Sequence, residues 1–182
     1  MNLKPTQQEI DYTLYVCEHV ENVKAVWREL SNNLCKGEFW IEDYSYFGID
    51  ALIKQHDRSK LDNDEFNGYR QWFFPEVEGQ KFKPAFDAAW NHHQKHNQHH
   101  WQYWLMWKPE GTEALPMPFE YVVEMLCDWS AMSLKFGDTP SGFYAGQKDK
   151  ILLHENARGC VERWLPLFDK AVENIRDHLT IT

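Results

Sequence analysis

The chain has 182 residues, 43% hydrophobic and 26% charged, with a formal net charge of −9. This is globular composition, long enough for one domain with a sizeable core and unlike a disordered segment. The acidic balance argues against binding duplex nucleic acid, which Lys and Arg drive by neutralising phosphates. The polar start MNLKPTQQEIDY and the lack of a long apolar run argue against a signal segment or a membrane span.

The first predicted element is a helix from about Thr6 to Cys35, where Ile10, Leu14, Cys17, Val20, Val23, Trp27 and Leu30 recur at steps of three and four. Thr6 caps it, and Glu9 three residues on completes a capping box. His19 lies at the edge of the apolar stripe, among Val16, Val20 and Val23, and is expected to point into the core or its rim. After a looser stretch with Gly37 and Gly48, a short helix is expected over Tyr46 to Gln55, leading into His56-Asp57-Arg58-Ser59-Lys60. Asp62 with Glu65 reads as a second capping box, opening a helix through Phe66, Tyr69, Trp72 and Phe73 that Pro75 and Gly79 end. The next helix starts near Pro84 and runs through Phe86, Ala89, Trp90 and His93 into a histidine tract. Lys108 to Pro118 reads as a loop, Phe119 to Phe136 as a helix and Gly137 to Gly142 as a turn. The last helix covers about Asn156 to Leu179, with Pro166 as a point of interruption. No segment alternates convincingly with period two; Ile41 to Phe47 and Lys150 to Leu153 are the only candidates for extended chain. The expected fold is one compact all-α domain of about six helices over residues 1–182.

Five of the nine histidines lie within AWNHHQKHNQHHWQYW, residues 89–104. A solvated face carries Lys, Glu and Gln rather than five imidazoles among Trp and Tyr. Imidazole is the commonest side-chain metal ligand and is neutral near pH 7 without special tuning. If the helix persists through the tract, His93, Asn97 and His100 share one stripe and His92, His96 and His99 the adjacent one. His56-Asp57 can both reach one ion if the backbone turns between them. Asp128 sits among Leu126, Cys127 and Trp129 on an apolar helix, where a carboxylate needs a metal or an ion-pair partner such as Lys135 or Arg158. Glu65 serves either as a helix cap, the more economical reading, or as a partner orienting a histidine. Cys17, Cys35, Cys127 and Cys160 are widely spaced with no C-x-x-C pair, which fits a reducing compartment.

His19, then His56-Asp57, then Asp128, all expected on or beside helices, resembles the H…HD…D pattern of the HD-domain metal-dependent phosphohydrolase superfamily over about residues 10–136. HDRSK is also similar to the HDxGK segment of HD-GYP cyclic-dinucleotide phosphodiesterases, although the GYP motif is absent. The runs HDRSKLDNDEF, HHQKHNQHHWQYW and MLCDWSAMSLKFGDTP look more closely like an uncharacterised family of small phage and bacterial proteins. The superfamily resemblance implies an HD-like domain with one ion held by His19, His56, Asp57 and Asp128. It implies a second ion bridged by Asp57 and held by His93 and His100, with His99 as a substitute.

The ions would be divalent, one or two of Mn, Fe, Mg, Co, Ni or Zn. The implied reaction is hydrolysis of a nucleotide or another small phosphate ester by metal-activated water, with Asp57 and Lys60 in the catalytic machinery. Lys60 would contact a phosphate oxygen or be an ordinary exposed Lys before a helix cap, and Lys148, Lys150 and Arg158 are read either as further substrate anchors or as solvated residues. Two other readings stand beside it: an O2-dependent di-iron oxygenase like the myo-inositol oxygenase family, and a non-enzymatic phage–host interaction module with a structural metal. The expected partner is a small phosphorylated molecule, and the expected location is the cytoplasm of a bacterium or an infected host. The abundant aromatic rings suit a substrate pocket or a homodimer interface equally well.

Overall fold

The computed structural model describes residues 4–34 and 43–180. Thr6 starts the first helix, α1 (Gln7–Glu29): its hydroxyl accepts the Glu9 N–H at 3.3 Å, and the Glu9 carboxylate accepts the Thr6 N–H at 2.7 Å. This is the capping box expected from the sequence. The buried stripe is Tyr12, Val16, His19, Val23 and Val26, whereas Ile10 and Leu14 are exposed. The real stripe is therefore rotated from the predicted one, because Tyr12 buries its ring while its hydroxyl reaches the Lys60 carbonyl at 3.1 Å. His19 belongs to the middle of that stripe. The helix widens into a π-helical turn, Leu30–Leu34, and Cys35 lies outside the described residues.

Helix α2 (Asp43–Gln55) begins earlier than predicted, so the described part of the 41–47 segment is helical rather than extended. Helices α3 (Asn63–Phe73) and α4 (Lys83–His96) pack closely together. Gly68 sets their distance: a Cβ there would lie 2.4 Å from the Ala85 carbonyl oxygen and 2.7 Å from the Ala89 Cβ. The expected loop after Lys108 contains a hairpin instead, β1 (Leu105–Lys108) paired antiparallel with β2 (Gly111–Ala114). Four-residue strands joined across Pro109-Glu110 are too short to show a period-two signal. Helix α5 (Phe119–Phe136) matches its predicted span and is buried on most of its circumference from Val122 to Ser133.

The predicted turn at residues 137–142 gives way at Pro140 to a further helix, α6 (Pro140–Gln147). Thr139 caps it by accepting the Gly142 N–H at 3.0 Å. Lys150–Leu153 is not a strand, and α7 (Glu155–Thr180) runs through Pro166 without a break. Its stripe of Ala157, Val161, Trp164, Leu165, Phe168, Ala171 and Val172 packs on α5, and tertiary packing outweighs the one missing N–H. The described residues thus hold seven helices rather than six, in an all-α architecture with one small hairpin.

Two apolar clusters hold the helices. The larger joins the C-terminal half of α1 to α2, α5, α6 and α7. The smaller is aromatic and joins the N-terminal half of α1 to α3 and α4, with Tyr12 edge-on to Phe66 at 5.1 Å and Trp72 stacked on Phe86 at 4.7 Å. His19 stands on α1 where the two meet. Among the described residues no helix is long and apolar enough to cross a membrane.

Candidate metal centre

The chain leaves α2 through His56 into Asp57, which has φ 59° and ψ 17°. It is the one non-glycine with positive φ among the described residues. That conformation costs an L-residue roughly 1–2 kcal/mol and persists only where the surroundings hold it. Its effect is to turn two adjacent side chains toward one point, and both His56 and Asp57 are buried there.

One half of the centre comes from α1, α2 and α5. His19 Nε2 lies 3.1 Å from Asp57 Oδ2 and 3.1 Å from Asp128 Oδ1. His56 Nε2 lies 3.5 and 4.0 Å from the same two oxygens. The other half faces the second oxygen of Asp57: its Oδ1 is 3.2 Å from His93 Nε2 and 3.5 Å from His99 Nε2. Asp57, His93, His99 and His100 each bring one donor atom into a group spanning at most 4.8 Å, as do His19, His56 and Asp128.

The helix does not persist through the histidine tract. It stops at His96, and Asn97 turns away with φ −111° and ψ 110°. This turn delivers both His99 and His100 to the cluster, so neither substitutes for the other. His92 and His96 stack on each other at 3.8 Å and stay out of it. Lys135 pairs with Glu18 at 2.9 Å and Arg158 is engaged elsewhere, so Asp128 has the histidines rather than those cations as neighbours.

The Nε2 atoms of His19, His56, His93, His99 and His100 and Oδ1 of Asp57 are buried with no hydrogen-bond partner. Buried polar atoms in folded proteins are nearly always satisfied, so six orphans aimed at one small volume call for a shared partner. The donor set fits a cation. Bonds of about 2.1 Å place opposite ligands about 4.2 Å apart, close to the observed spans. Imidazole nitrogen with carboxylate oxygen is the usual set for a divalent transition metal.

A second layer fixes the ring orientations. Glu124 Oε1 lies 2.9 Å from His56 Nδ1 and 3.3 Å from His99 Nδ1. Glu65 Oε2 lies 2.7 Å from His93 Nδ1, and its other oxygen 2.8 Å from His92 Nδ1. Donation from each Nδ1–H to a carboxylate leaves Nε2 with a bare lone pair facing the centre. The cap expected at Asp62 makes no side-chain hydrogen bond, and the Glu65 carboxylate instead faces His92, His93 and Ser59. The economical capping reading is therefore corrected. The sequence alone offers Glu124, one turn before Asp128, only as a neighbour on an exposed face, whereas it is buried against the two imidazoles.

Electrostatics favour positive charge at this spot. Burial lowers the affinity of His19 for a proton, but contacts with Asp128 and Asp57 outweigh it and raise its pKa to about 9. Burial raises Glu124, yet hydrogen bonds from His56 and His99 bring it down to about 2. Burial likewise opposes the charge on Asp57 and Asp128, and the surrounding imidazoles and Lys60 overcome it, so both carboxyls titrate below their usual range. Burial, then the neighbouring rings, push His99 and His100 below the ordinary imidazole value, which keeps them neutral and able to ligate.

Lys60 sits on the 3₁₀ turn after Asp57 (Arg58–Leu61), with Nζ 2.6 Å from Asp57 Oδ2. It lines a cavity of about 240 Å³ together with His19 and Tyr69. The Tyr69 hydroxyl is buried and has no hydrogen-bond partner; nothing in the helical pattern distinguished this tyrosine from core. The structure brings neither Lys148 nor Arg158 to the described cavities beside the cluster. Lys148 is exposed at the end of α6, and Arg158 donates to the Tyr144 hydroxyl at 2.9 Å and the Ile151 carbonyl at 3.0 Å. Their expected role as substrate anchors gives way to a structural one for Arg158 and a solvated one for Lys148.

No curated protein and no solved structure matches this chain. A family model matches residues 8–167, a span that holds every side chain of the cluster and of its second layer; the chain belongs to that family, described as Family of unknown function (DUF5662).

Proposed function

We propose that this protein is a metal-dependent phosphohydrolase acting on a small phosphate ester, with a two-ion centre bridged by Asp57. The observation that carries the reading is the set of five orphaned Nε2 atoms arranged on both sides of one carboxylate whose two oxygens face different groups of ligands. His19, His56, Asp57 and Asp128 would hold one ion; Asp57, His93, His99 and His100 the other. Bound there, divalent ions would polarise a phosphoryl group and lower the pKa of a water molecule toward neutrality. The chain supplies the rest. Glu124 and Glu65 hold the imidazoles in the ligating tautomer, and Lys60 and the Tyr69 hydroxyl provide donors for phosphoryl oxygens from the smaller cavity. The H…HD…D arrangement supports placing the chain among HD-domain-like proteins.

A second reading, O2-dependent oxidation at a di-iron centre, draws on one observation: three of the four residues in one group are imidazoles. Elemental analysis of protein purified without a histidine tag decides between them. The hydrolase reading expects two ions per chain of Mn, Co, Ni, Mg or Zn and phosphate release from an ester panel. Iron with an absorption band that changes on exposure to O2 would replace it with the oxygenase. Metal-free protein whose melting is indifferent to chelators would sink both and leave an interaction module.

A further inference from the structure

A larger cavity, about 440 Å³, lies against the centre, with His99, His100 and Asp128 on its wall. It therefore touches both groups of ligands. Half of the remaining lining residues are aromatic, Trp90, Trp101, Trp129, Phe136 and Phe143, and Met125 and Met132 add apolar surface. No lysine or arginine is among the described residues that line it, whereas a second carboxylate, Asp138, is. Gln102 contributes a buried amide oxygen without a hydrogen-bond partner. Lys60, the ammonium that pairs with Asp57, is on the smaller cavity, which shares Trp90 and Met132 with the larger one.

This division of charge constrains the ligand. One anionic head can be neutralised at the ions, with Lys60 beside them. Any further phosphate would have to lie along aromatic and carboxylate-bearing walls with no cation to pair it, where the like charge of Asp128 and Asp138 opposes it. The volume is in the range of ordinary small-ligand pockets, and flat indole and phenyl faces suit a ring.

Building on the hydrolase reading, we propose that the ligand of this centre is a compound with a single phosphorus head and an apolar, ring-bearing body lodged in the larger cavity, and that nucleoside di- and triphosphates are excluded. In turnover the oxygen of water bonds to phosphorus and the phosphorus–oxygen bond to the body breaks. The body leaves as an alcohol or phenol carrying a proton from that water, and inorganic phosphate remains.

The test uses the metal-loaded full chain. Binding of phenylphosphonate, which cannot be hydrolysed at a phosphorus–oxygen ester bond, is compared with methylphosphonate by tryptophan fluorescence. Release of phosphate from 1-naphthyl phosphate is compared with release from ATP and glycerol phosphate. Phenylphosphonate is expected to bind about tenfold tighter or more, the factor for burying a phenyl ring. That preference is expected to fall by most of its value in the Phe136→Ala, Phe143→Ala double variant, whose exposed rings can be removed without unfolding the helices. The aryl ester is expected to be the best of the three substrates. Equal binding of the two phosphonates, or a preference for ATP, would overturn the assignment while leaving hydrolysis intact. Selective phenylphosphonate binding without phosphate release from any ester would do the reverse: the body assignment stands and hydrolysis falls.

Discussion

The two halves of the centre are built differently. His19 and Asp128 come from α1 and α5 and His56 directly follows α2, three helices whose shared core is the larger cluster of mixed aliphatic and aromatic side chains. His93, His99 and His100 come from the end of α4 and the turn after it, backed by the small aromatic cluster. The first half is held by three helices packed on one another. The second depends on one helix pair and on a non-helical turn held by bonds such as Asn97 Nδ2 to Ser59 Oγ at 2.8 Å, across the fold, and the His100 N–H to the Asn97 carbonyl at 3.1 Å, within the turn. Ligand positions on short irregular chain have less to hold them, so the second half should be the first to lose its ion.

The largest effect should come from the residue common to both halves. Asp57→Asn is expected to remove both ions and reduce turnover by about a thousandfold or more while circular dichroism stays helical; two ions retained per chain by mass spectrometry would break the bridging geometry. Next come single ligands. His93→Ala should leave one tightly held ion per chain, whereas His19→Ala should weaken both through Asp57. Equal stoichiometry in the two variants would erase the asymmetry.

Glu124→Gln and Glu65→Gln sharpen the contrast further. Removal of an orienting carboxylate costs roughly 10–100-fold in metal affinity. Glu124→Gln should weaken both ions, because Glu124 reaches His56 and His99, and Glu65→Gln only the one held by His93; chelator competition reads both. Lys60→Ala and Tyr69→Phe should each lower kcat by roughly ten- to a hundredfold, the loss for a hydrogen bond to a charged group, with metal content unchanged. Smallest is Gly68→Ala, which forces α3 and α4 apart. Overpacking of this kind costs roughly 1–3 kcal/mol, read as a lower Tm, and the accompanying loss of affinity should fall on the His93 half alone.

The same contrast explains what the sequence made legible. His19 and Asp128 stood out as polar groups in an apolar helical context, which periodicity exposes, whereas His56-Asp57 gained meaning only beside them and through the resemblance to the H…HD…D pattern. The His92 to His100 tract announced metal-binding chemistry but not its geometry. Helical spacing predicted alternative pairs, and only the break at Asn97 puts His93, His99 and His100 on one point. Glu65 and Glu124 have a face that a helical wheel cannot distinguish from a cap or a surface, since their partners lie 28 and 68 residues away. The hairpin and α6 were lost for a simpler reason: each is too short for a periodic signal.

Glu124 also links the two halves mechanically. A single oxygen, Oε1, receives the Nδ1 of His56 from one side and that of His99 from the other. Drawing either ring toward a ligated ion lengthens or bends the grip on its counterpart. With ions bound on both sides of Asp57, occupancy at one position would be transmitted to the other through this shared carboxylate, and the loading curve of the protein should depart from that of two independent sites.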